Sequence, residues 1–163
     1  MSSELKNLSF YDATALPDVS DLKVGIVISE WNDSITNSLA DAAFETLIKH
    51  GVKKDNIIIS YVPGSFELPK GAKNLIDNSF CNVIICLGCV IQGETRHFEF
   101  ICQAVSNGIM TLNISTDVPV IFGVLTTDNQ QQAIDRSGGK HGNKGVEAAV
   151  AAIKMAIPIK HNL

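Results

Sequence analysis

The chain has 163 residues, of which 45% are hydrophobic and 18% are charged, and its formal net charge is −4 at pH 7. This length suits one domain with its own core, and an acidic balance without a run of Lys or Arg argues against a nucleic-acid partner. Residues 1–6 lack the features of a secretory signal and no window approaches the ~20 apolar residues of a membrane span, so we expect a cytoplasmic protein without membrane contact.

Short runs rich in Val and Ile alternate with longer segments of helical pattern. We predict β-strands over residues 22–29, 56–62, 82–87 and 119–126. Each run is almost continuously apolar, which is typical of parallel strands that helices cover on both faces. Right-handed crossovers between such strands predict a three-layer α/β/α domain of the flavodoxin-like class, with a four-stranded parallel sheet in the order 2-1-3-4. We assign this domain to residues 21–158.

The segments between and after the strands predict the helices that cover the sheet. They lie at residues 34–50, 66–77, 95–111, 129–137 and 143–157. Gly51 follows the first of these segments, and glycine readily takes the left-handed conformation that ends a helix. Thr127 followed by Gln130 predicts a capping box before the fourth helix.

Residues 1–20 show no helical period and are predicted to form an N-terminal arm, while residues 159–163 form a short C-terminal tail. Within the arm, residues 8–14 either add a strand to the sheet edge of a neighbouring subunit or are disordered. The apolar content of the chain exceeds what a domain with a fully polar surface needs. We therefore expect a homo-oligomer.

Four cysteines lie on or beside the third predicted strand and the helix after it. They are Cys81, Cys86, Cys89 and Cys102. Their spacing differs from the paired spacing of a zinc site. We expect them to act as small apolar side chains in a reducing compartment, and we expect no bound metal.

Residues 88–99 predict a glycine-bounded turn that leads from the third strand into a helix. Backbone N–H groups at the start of a helix carry partial positive charge, so such a turn favours a phosphate. The spacing resembles the phosphate loop of nucleotide-binding proteins, but Glu94 stands where that loop has lysine. The expected ligand is therefore a singly phosphorylated small molecule and not ATP.

Two aromatic side chains are candidates for the chemistry at this edge of the sheet. His97 lies in the first helical turn after the glycine-bounded segment, where the helix disfavours a further positive charge. Its imidazole can accept a proton and later return it, or it is a structural histidine. Trp31 directly follows the first strand and either stacks on a flat ligand or packs on its own helix.

Two further motifs carry charge near strand ends. Residues 62–67 combine a Pro-Gly turn with a helix start, and the carboxylate of Glu67 either binds a polyhydroxylated ligand or stabilises the helix N-terminus. Arg136 and Lys144 flank a glycine-rich connection. Because Arg136 is expected to point away from the cleft of its own chain, these cations either stabilise helix ends or bind phosphate in the next subunit's site.

Five sequence blocks, in the same order, resemble the 6,7-dimethyl-8-ribityllumazine synthase family. They are residues 30–32, 62–69, 88–99, 119–126 and 132–145. The resemblance implies a transferase of riboflavin biosynthesis that condenses 5-amino-6-(D-ribitylamino)uracil with L-3,4-dihydroxybutan-2-one 4-phosphate and releases phosphate and water. It implies no cofactor and no metal.

The resemblance also implies roles for individual residues, with His97 as the proton-transfer group. The residues implied to contact the ribityl-substituted pyrimidine are Trp31, Ser65, Phe66, Glu67, Cys89, Val90, Ile91 and, from a neighbouring subunit, Phe122. Those implied to bind the phosphorylated ketone are Glu94, Thr95, Arg136 and Lys144. In this assignment Trp31 stacks on the ring, residues 65–67 hold the ribityl chain, and residues 89–91 meet the ring edge through backbone groups.

The family assembles as pentamers, some of which form hollow icosahedral shells that enclose riboflavin synthase. A short connection at residues 136–143 favours the shell. Two positions depart from the common pattern. Trp31 replaces the phenylalanine of many members and favours tighter binding of flavin products, while Gln92 replaces a basic residue of some members and weakens phosphate attraction.

Two alternatives remain open at this stage. The first is the related archaeal-type riboflavin synthase, which has the same fold and takes the lumazine itself as substrate. The second is a flavin-binding or phosphoacceptor module of the same architecture. It is disfavoured because the first strand is followed neither by paired acidic residues nor by a hydroxyl-rich phosphate loop.

Overall fold

A computed structural model describes residues 7–17 and 19–157 and contains a four-stranded parallel sheet. Its strands are β1 (Val24–Ser29), β2 (Ile57–Val62), β3 (Val83–Ile91) and β4 (Val120–Thr127). Their order is β2-β1-β3-β4, and every neighbouring pair is parallel. The predicted α/β/α architecture and strand order are confirmed.

Helices cover both faces of this sheet. The α-helices are α1 (Asp33–Lys49), α2 (Leu68–Asn78), α3 (His97–Ser115), α4 (Gln130–Ile134) and α5 (Lys144–Ala156). Short 3-10 turns lie at Ala13–Ala15, Lys54–Asn56 and Ser65–Glu67. A small antiparallel hairpin, β5 (Ser137–Gly139) and β6 (Gly142–Asn143), connects α4 to α5. Within the described part of the chain, no helix is long and apolar enough to cross a membrane.

Two apolar cores lie on opposite faces of the sheet. Ile26 and Ile28 of β1 contribute to the core under α1 and α5, whereas Val27 contributes to the core under α2 and α3. Every residue of β1 is buried because this strand has neighbours on both edges and helices on both faces. The near-continuous apolar runs of the sequence have this origin.

Helix α1 ends as predicted, but the start of α4 does not. Gly51 has φ +97°, the left-handed conformation expected after the helix. The predicted capping box at Thr127 is wrong. Asn129 caps α4 by accepting a hydrogen bond from the backbone N–H of Gln132, because β4 stays paired with β3 through Thr127 and the cap moves two residues onward.

The predicted glycine-bounded turn is also corrected by the structure. Strand β3 continues through Gly88 to Ile91, so the first half of that stretch is strand and the turn covers only residues 92–96. The extension follows from pairing with β4, which reaches from Ile84 opposite Val120 to Ile91 opposite Thr127. Helix α3 then begins at His97.

The described part of the N-terminal arm lies against its own chain. The backbone N–H of Leu8 donates to the carbonyl of His141 at 2.8 Å, and Ser9 Oγ accepts from the backbone N–H of Asn143 at 2.9 Å. Residues 7–17 contain a 3-10 turn and no strand. Pairing of the arm with a neighbouring subunit stays a prediction, and residues 1–6 and 18 of the arm and 158–163 of the C-terminus lie outside the described residues.

Candidate active site

A cavity of about 680 Å³ lies at the carboxyl ends of β1, β2 and β3. We call it the aromatic cavity. Its lining residues are Trp31, Asn32, Gly64, Ser65, Phe66, Glu67, Cys89, Val90, Ile91, His97 and Ile101. Residues from three separate predicted motifs thus meet at one place, as expected where parallel strands end at the same edge of a sheet.

Trp31 stands at the mouth of the aromatic cavity with 73% of its surface exposed. The β1–β2 pairing continues beyond the strands, since Glu30 N–H donates to Val62 O at 2.9 Å and Trp31 N–H donates to Pro63 O at 3.2 Å. This pairing places the indole beside Gly64. A Cβ atom on residue 64 would lie 3.5 Å from Trp31 Cδ1, which is van der Waals contact. An exposed aromatic ring in this position can stack on a flat ligand.

Asn32 links the loop after β1 to β3. Its backbone is left-handed, with φ 60° and ψ 46°, and its side-chain Nδ2 donates to the carbonyl of Cys89 at 2.9 Å. The sequence analysis did not assign Asn32 to the site. The available signal was that asparagine tolerates the left-handed conformation better than most residues and here directly follows Trp31.

Ile101 of α3 also lines the cavity, although no sequence motif points to it. It lies four residues after His97, and residues at this spacing share one face of a helix. Helical periodicity from His97 was therefore the signal that could have found it. Together the two side chains form the α3 wall of the aromatic cavity.

Glu67 is held at the cavity wall by the turn that precedes it. Its Oε2 accepts from the backbone N–H of Gly64 at 2.9 Å, and its own N–H donates to Gly64 O at 3.2 Å. The contact with Gly64 confirms that Glu67 stabilises the helix start, and binding of a polyhydroxylated ligand stays a prediction. The carboxylate stabilises the helix start and also lines the cavity.

His97 is the first residue of α3, with an exposed side chain that reaches the aromatic cavity. Its backbone N–H donates to Thr95 Oγ1 at 3.4 Å. Glu94 and Thr95 lie in the exposed turn directly before it. The turn therefore stands next to the imidazole, although its residues do not line the cavity.

Arg136 and Lys144 lie in a different cavity, of about 460 Å³, which we call the cationic cavity. It is lined by the end of β4, the described N-terminal arm and residues of α5. Arg136 Nη1 donates to Gln132 O at 3.0 Å, and Lys144 Nζ donates to Glu147 Oε1 at 2.5 Å. A single chain therefore does not bring these two cations to the aromatic cavity.

Phe122 lines neither cavity. It is half-buried on β4, the edge strand of the sheet, and packs against the core under α2 and α3. Within its own chain Phe122 is thus a partly exposed core residue.

Three of the four cysteines are buried, and Cys102 is half-buried. All four are free thiols, and burial raises the pKa of Cys86 to about 12 and that of Cys89 to about 11. Thiols with such pKa values stay protonated near neutral pH. Among the described residues, no group of three or more His, Cys, Asp or Glu side chains is placed to hold a metal ion.

Comparison with known proteins identifies the family of the chain. The family model of 6,7-dimethyl-8-ribityllumazine synthase matches residues 21–159. A protein of that name from Flavobacterium johnsoniae is 57% identical over 96% of this chain and 82% of its own length. Relatives of the same name from Cytophaga hutchinsonii and Parabacteroides distasonis are 58% and 52% identical, each over 95% of this chain and 97% of their own length. The chain therefore belongs to the 6,7-dimethyl-8-ribityllumazine synthase family.

Proposed function

We propose that the chain condenses 5-amino-6-(D-ribitylamino)uracil with L-3,4-dihydroxybutan-2-one 4-phosphate in the cytoplasm, releasing phosphate and water, as a transferase of riboflavin biosynthesis. The observation that carries this proposal is the convergence of Trp31, the turn at residues 64–67 and His97 on one cavity. The relatives named for this activity cover nearly the whole chain, which supports the same conclusion.

The ribityl-substituted pyrimidine binds in the aromatic cavity. Its ring stacks on the exposed indole of Trp31, and its edge meets the backbone of residues 89–91, which form the last three positions of β3. Its ribityl hydroxyls contact Ser65, Phe66 and Glu67. Apolar walls with a few polar groups are what a flat ring with a polyhydroxylated chain requires.

The phosphorylated ketone binds at the turn before α3, next to His97. Glu94 and Thr95 belong to this turn, where backbone N–H groups at the start of a 19-residue helix favour an anion. His97 transfers protons during imine formation, elimination of phosphate and ring closure. Holding both substrates side by side removes much of the entropic barrier of a reaction between two molecules.

Arg136, Lys144 and Phe122 act in the site of a neighbouring subunit. Their positions support this, since the two cations line the cationic cavity and Phe122 lies on the edge strand β4. A guanidinium and an ammonium group supply the positive charge that the phosphate needs. Closed symmetric assembly repeats such a two-chain site at every interface.

The oligomer that we propose is a homopentamer, with further association into an icosahedral shell around riboflavin synthase. Large apolar side chains remain exposed on α3 and β2, namely Phe100, Met110, Ile114, Ile59 and Tyr61. Large apolar side chains exposed to solvent in this way often mark subunit interfaces. The edge strand β2 also offers unpaired backbone groups to the N-terminal arm of a neighbour.

The decisive experiment supplies the purified chain with both substrates and then with each alone, without added cofactor. We expect a fluorescent lumazine and one equivalent of phosphate only when both substrates are present. A further arm supplies the lumazine alone, and riboflavin formed there would instead identify the archaeal-type riboflavin synthase. Tight flavin binding without any turnover would identify a flavin-binding module.

A further inference from the structure

Two buried hydroxyl groups lie behind the aromatic cavity, on the side of the sheet that α2 covers. Ser29 is the last residue of β1 and is 0% exposed, and Ser65 begins the 3-10 turn before α2 and is 6% exposed. Neither Oγ has a hydrogen-bond partner among the residues that the structure describes. Buried hydroxyls without a partner are costly, so they mark places where another group completes the bonding.

The two hydroxyls approach the same point of β3. The β1–β3 register pairs Ile28 with Leu87 and so brings Ser29 beside Gly88. A Cβ on Gly88 would lie 2.6 Å from Ser65 Oγ and 3.4 Å from Ser29 Oγ. Ser65 Oγ and Leu68 Cδ1, the latter at 2.9 Å, therefore leave no room for a side chain at position 88, and Ser29 Oγ borders the same space.

Of the two residues, Ser65 lines the aromatic cavity and Ser29 does not. A hydroxyl carries one proton to donate and can accept further hydrogen bonds. When Ser65 Oγ accepts a hydrogen bond from the Ser29 hydroxyl, the Ser65 proton is available to an acceptor in the cavity. Ser29 is well suited to this because it belongs to a fully buried central strand and cannot turn toward solvent.

We propose that Ser29 is a positioning residue, whose hydroxyl donates to Ser65 Oγ and thereby directs the Ser65 hydroxyl toward an oxygen of the ribityl-bearing substrate. This inference rests on the proposed function and goes beyond it, because Ser29 touches no substrate. It predicts that the two serines act as one unit on the affinity for that substrate. It also explains why the strand has glycine at position 88: a larger residue would displace the two hydroxyls.

The test is a double-mutant cycle with Ser29→Ala, Ser65→Ala and the double variant, assayed with both substrates. Each single variant should raise the KM for 5-amino-6-(D-ribitylamino)uracil, here called the diamine, about fivefold. This is the effect expected for the loss of one neutral hydrogen bond. The KM for the ketone phosphate and kcat should change by less than about twofold. Because Ser29 acts through Ser65, the double variant should be no worse than Ser65→Ala alone.

Thr46→Val is the matched control. Thr46 is also a buried hydroxyl, but it donates to the carbonyl of Ala42 within α1 and lines neither cavity. We expect both KM values of this variant to equal those of the unmodified protein. If Ser29→Ala does not fold, Ser29→Cys replaces it in the cycle, since its thiol is only slightly larger than the hydroxyl and donates only weakly.

Additive effects of the two serines on the KM for the diamine would overturn the proposal, as would an equal effect on both substrates or no effect of Ser29→Ala. Titration with the diamine, followed by the fluorescence of Trp31, measures the affinity of each variant directly and gives the same double-mutant cycle without catalysis. If the wild-type protein is active and the effects of the two serine variants are additive, only the proposed role of Ser29 is refuted and the proposed function stands. A wild-type protein that neither forms the lumazine nor binds the diamine would refute the proposed function together with it.

Discussion

The aromatic cavity and the cationic cavity have opposite chemistry although both lie near the carboxyl ends of the same sheet. The aromatic cavity combines Trp31 and Phe66 with a few polar groups, whereas the cationic cavity contains Arg136, Lys144 and Lys154. The first suits a flat ring with a polar chain and the second suits an anion. The proposed reaction needs both kinds of surface, so its requirements are divided between two places that one chain keeps apart.

The largest effect should come from His97→Ala, which removes the proton-transfer group from the aromatic cavity. We expect the rate of lumazine formation to fall about 100-fold, because general acid–base catalysis contributes at least this much in many enzymes. The imidazole is exposed, so the melting temperature should stay nearly the same. Steady-state kinetics and thermal unfolding check both statements.

His50→Ala is the control for that variant. The His50 ring contacts Tyr11, with Nε2 2.7 Å from the phenol oxygen, and lies outside the aromatic cavity. The His50→Ala variant should therefore form the lumazine at the rate of the unmodified protein. If His97→Ala retains activity within a few-fold of the original, His97 is not the proton-transfer group. The proposed difference in role between the aromatic and cationic cavities would then be weakened.

The next effect concerns the cationic cavity. Arg136→Ala should raise the KM for the ketone phosphate about 30-fold, because a charge-assisted hydrogen bond to phosphate is worth about 2 kcal/mol. The KM for the diamine should change much less. Kinetics with one substrate varied at a time distinguish the two, and an equal rise of both KM values would count against a phosphate role for Arg136.

Lys140→Ala is the matched control for Arg136. Lys140 belongs to the same glycine-rich connection, its side chain is 67% exposed, and it pairs with Asp135 at 3.4 Å. Since Lys140 does not line the cationic cavity, both KM values should be unchanged.

Mixing variants tests whether the two cavities serve one site across an interface. Co-assembled His97→Ala and Arg136→Ala chains should regain about a quarter of the original activity, because one interface in four then combines an intact His97 with an intact Arg136. Each variant assembled alone is the reference. Mixed assemblies, verified by mass spectrometry, that stay inactive would place the whole site within one chain.

Trp31→Ala should have a smaller effect, confined to the aromatic cavity. Loss of stacking costs about 1–3 kcal/mol per base in other proteins, so the KM for the diamine should rise about tenfold. Trp31→Phe keeps a ring and should stay within about threefold. A comparable rise in the KM for the ketone phosphate would show that the indole does not act on the heterocycle.

The smallest effect should come from alkylation. Cys89 lines the aromatic cavity, but burial raises its pKa to about 11, so its reactive thiolate appears only as the pH approaches that value. Iodoacetamide at pH 8 should leave activity unchanged and modify the half-exposed Cys102 first. Peptide mass spectrometry checks this. Rapid alkylation of Cys89 with loss of activity would assign it a chemical role.

Much of this fold is predictable because local patterns determine it. The apolar run of β1 and the glycine after α1 each depend on a few neighbouring residues, and the structure confirms both. The hairpin β5–β6 was not predicted. Its turn needs positive φ at Gly138 and Gly142, and the sequence shows the glycines without showing that their backbones pair.

The errors occur where distant segments decide the outcome. Glycine at position 88 predicts a turn, yet Gly88 lies in a strand beneath Ser65. Thr127 is predicted to be a cap, yet pairing with Ile91 keeps it in β4. Asn32 was not assigned to the site because its bond to the Cys89 carbonyl spans 57 positions of the chain.

By itself the sequence determined the order of strands and helices, the ends of the first helix and the residue types gathered at the strand ends, since these follow from periodicity and local backbone preferences. Only the tertiary structure decided how far β3 and β4 extend, and that Asn32 and Ile101 join Trp31 and His97 at the aromatic cavity. The reason is that strand register and cavity walls arise from contacts between segments far apart in the chain, which no local pattern records.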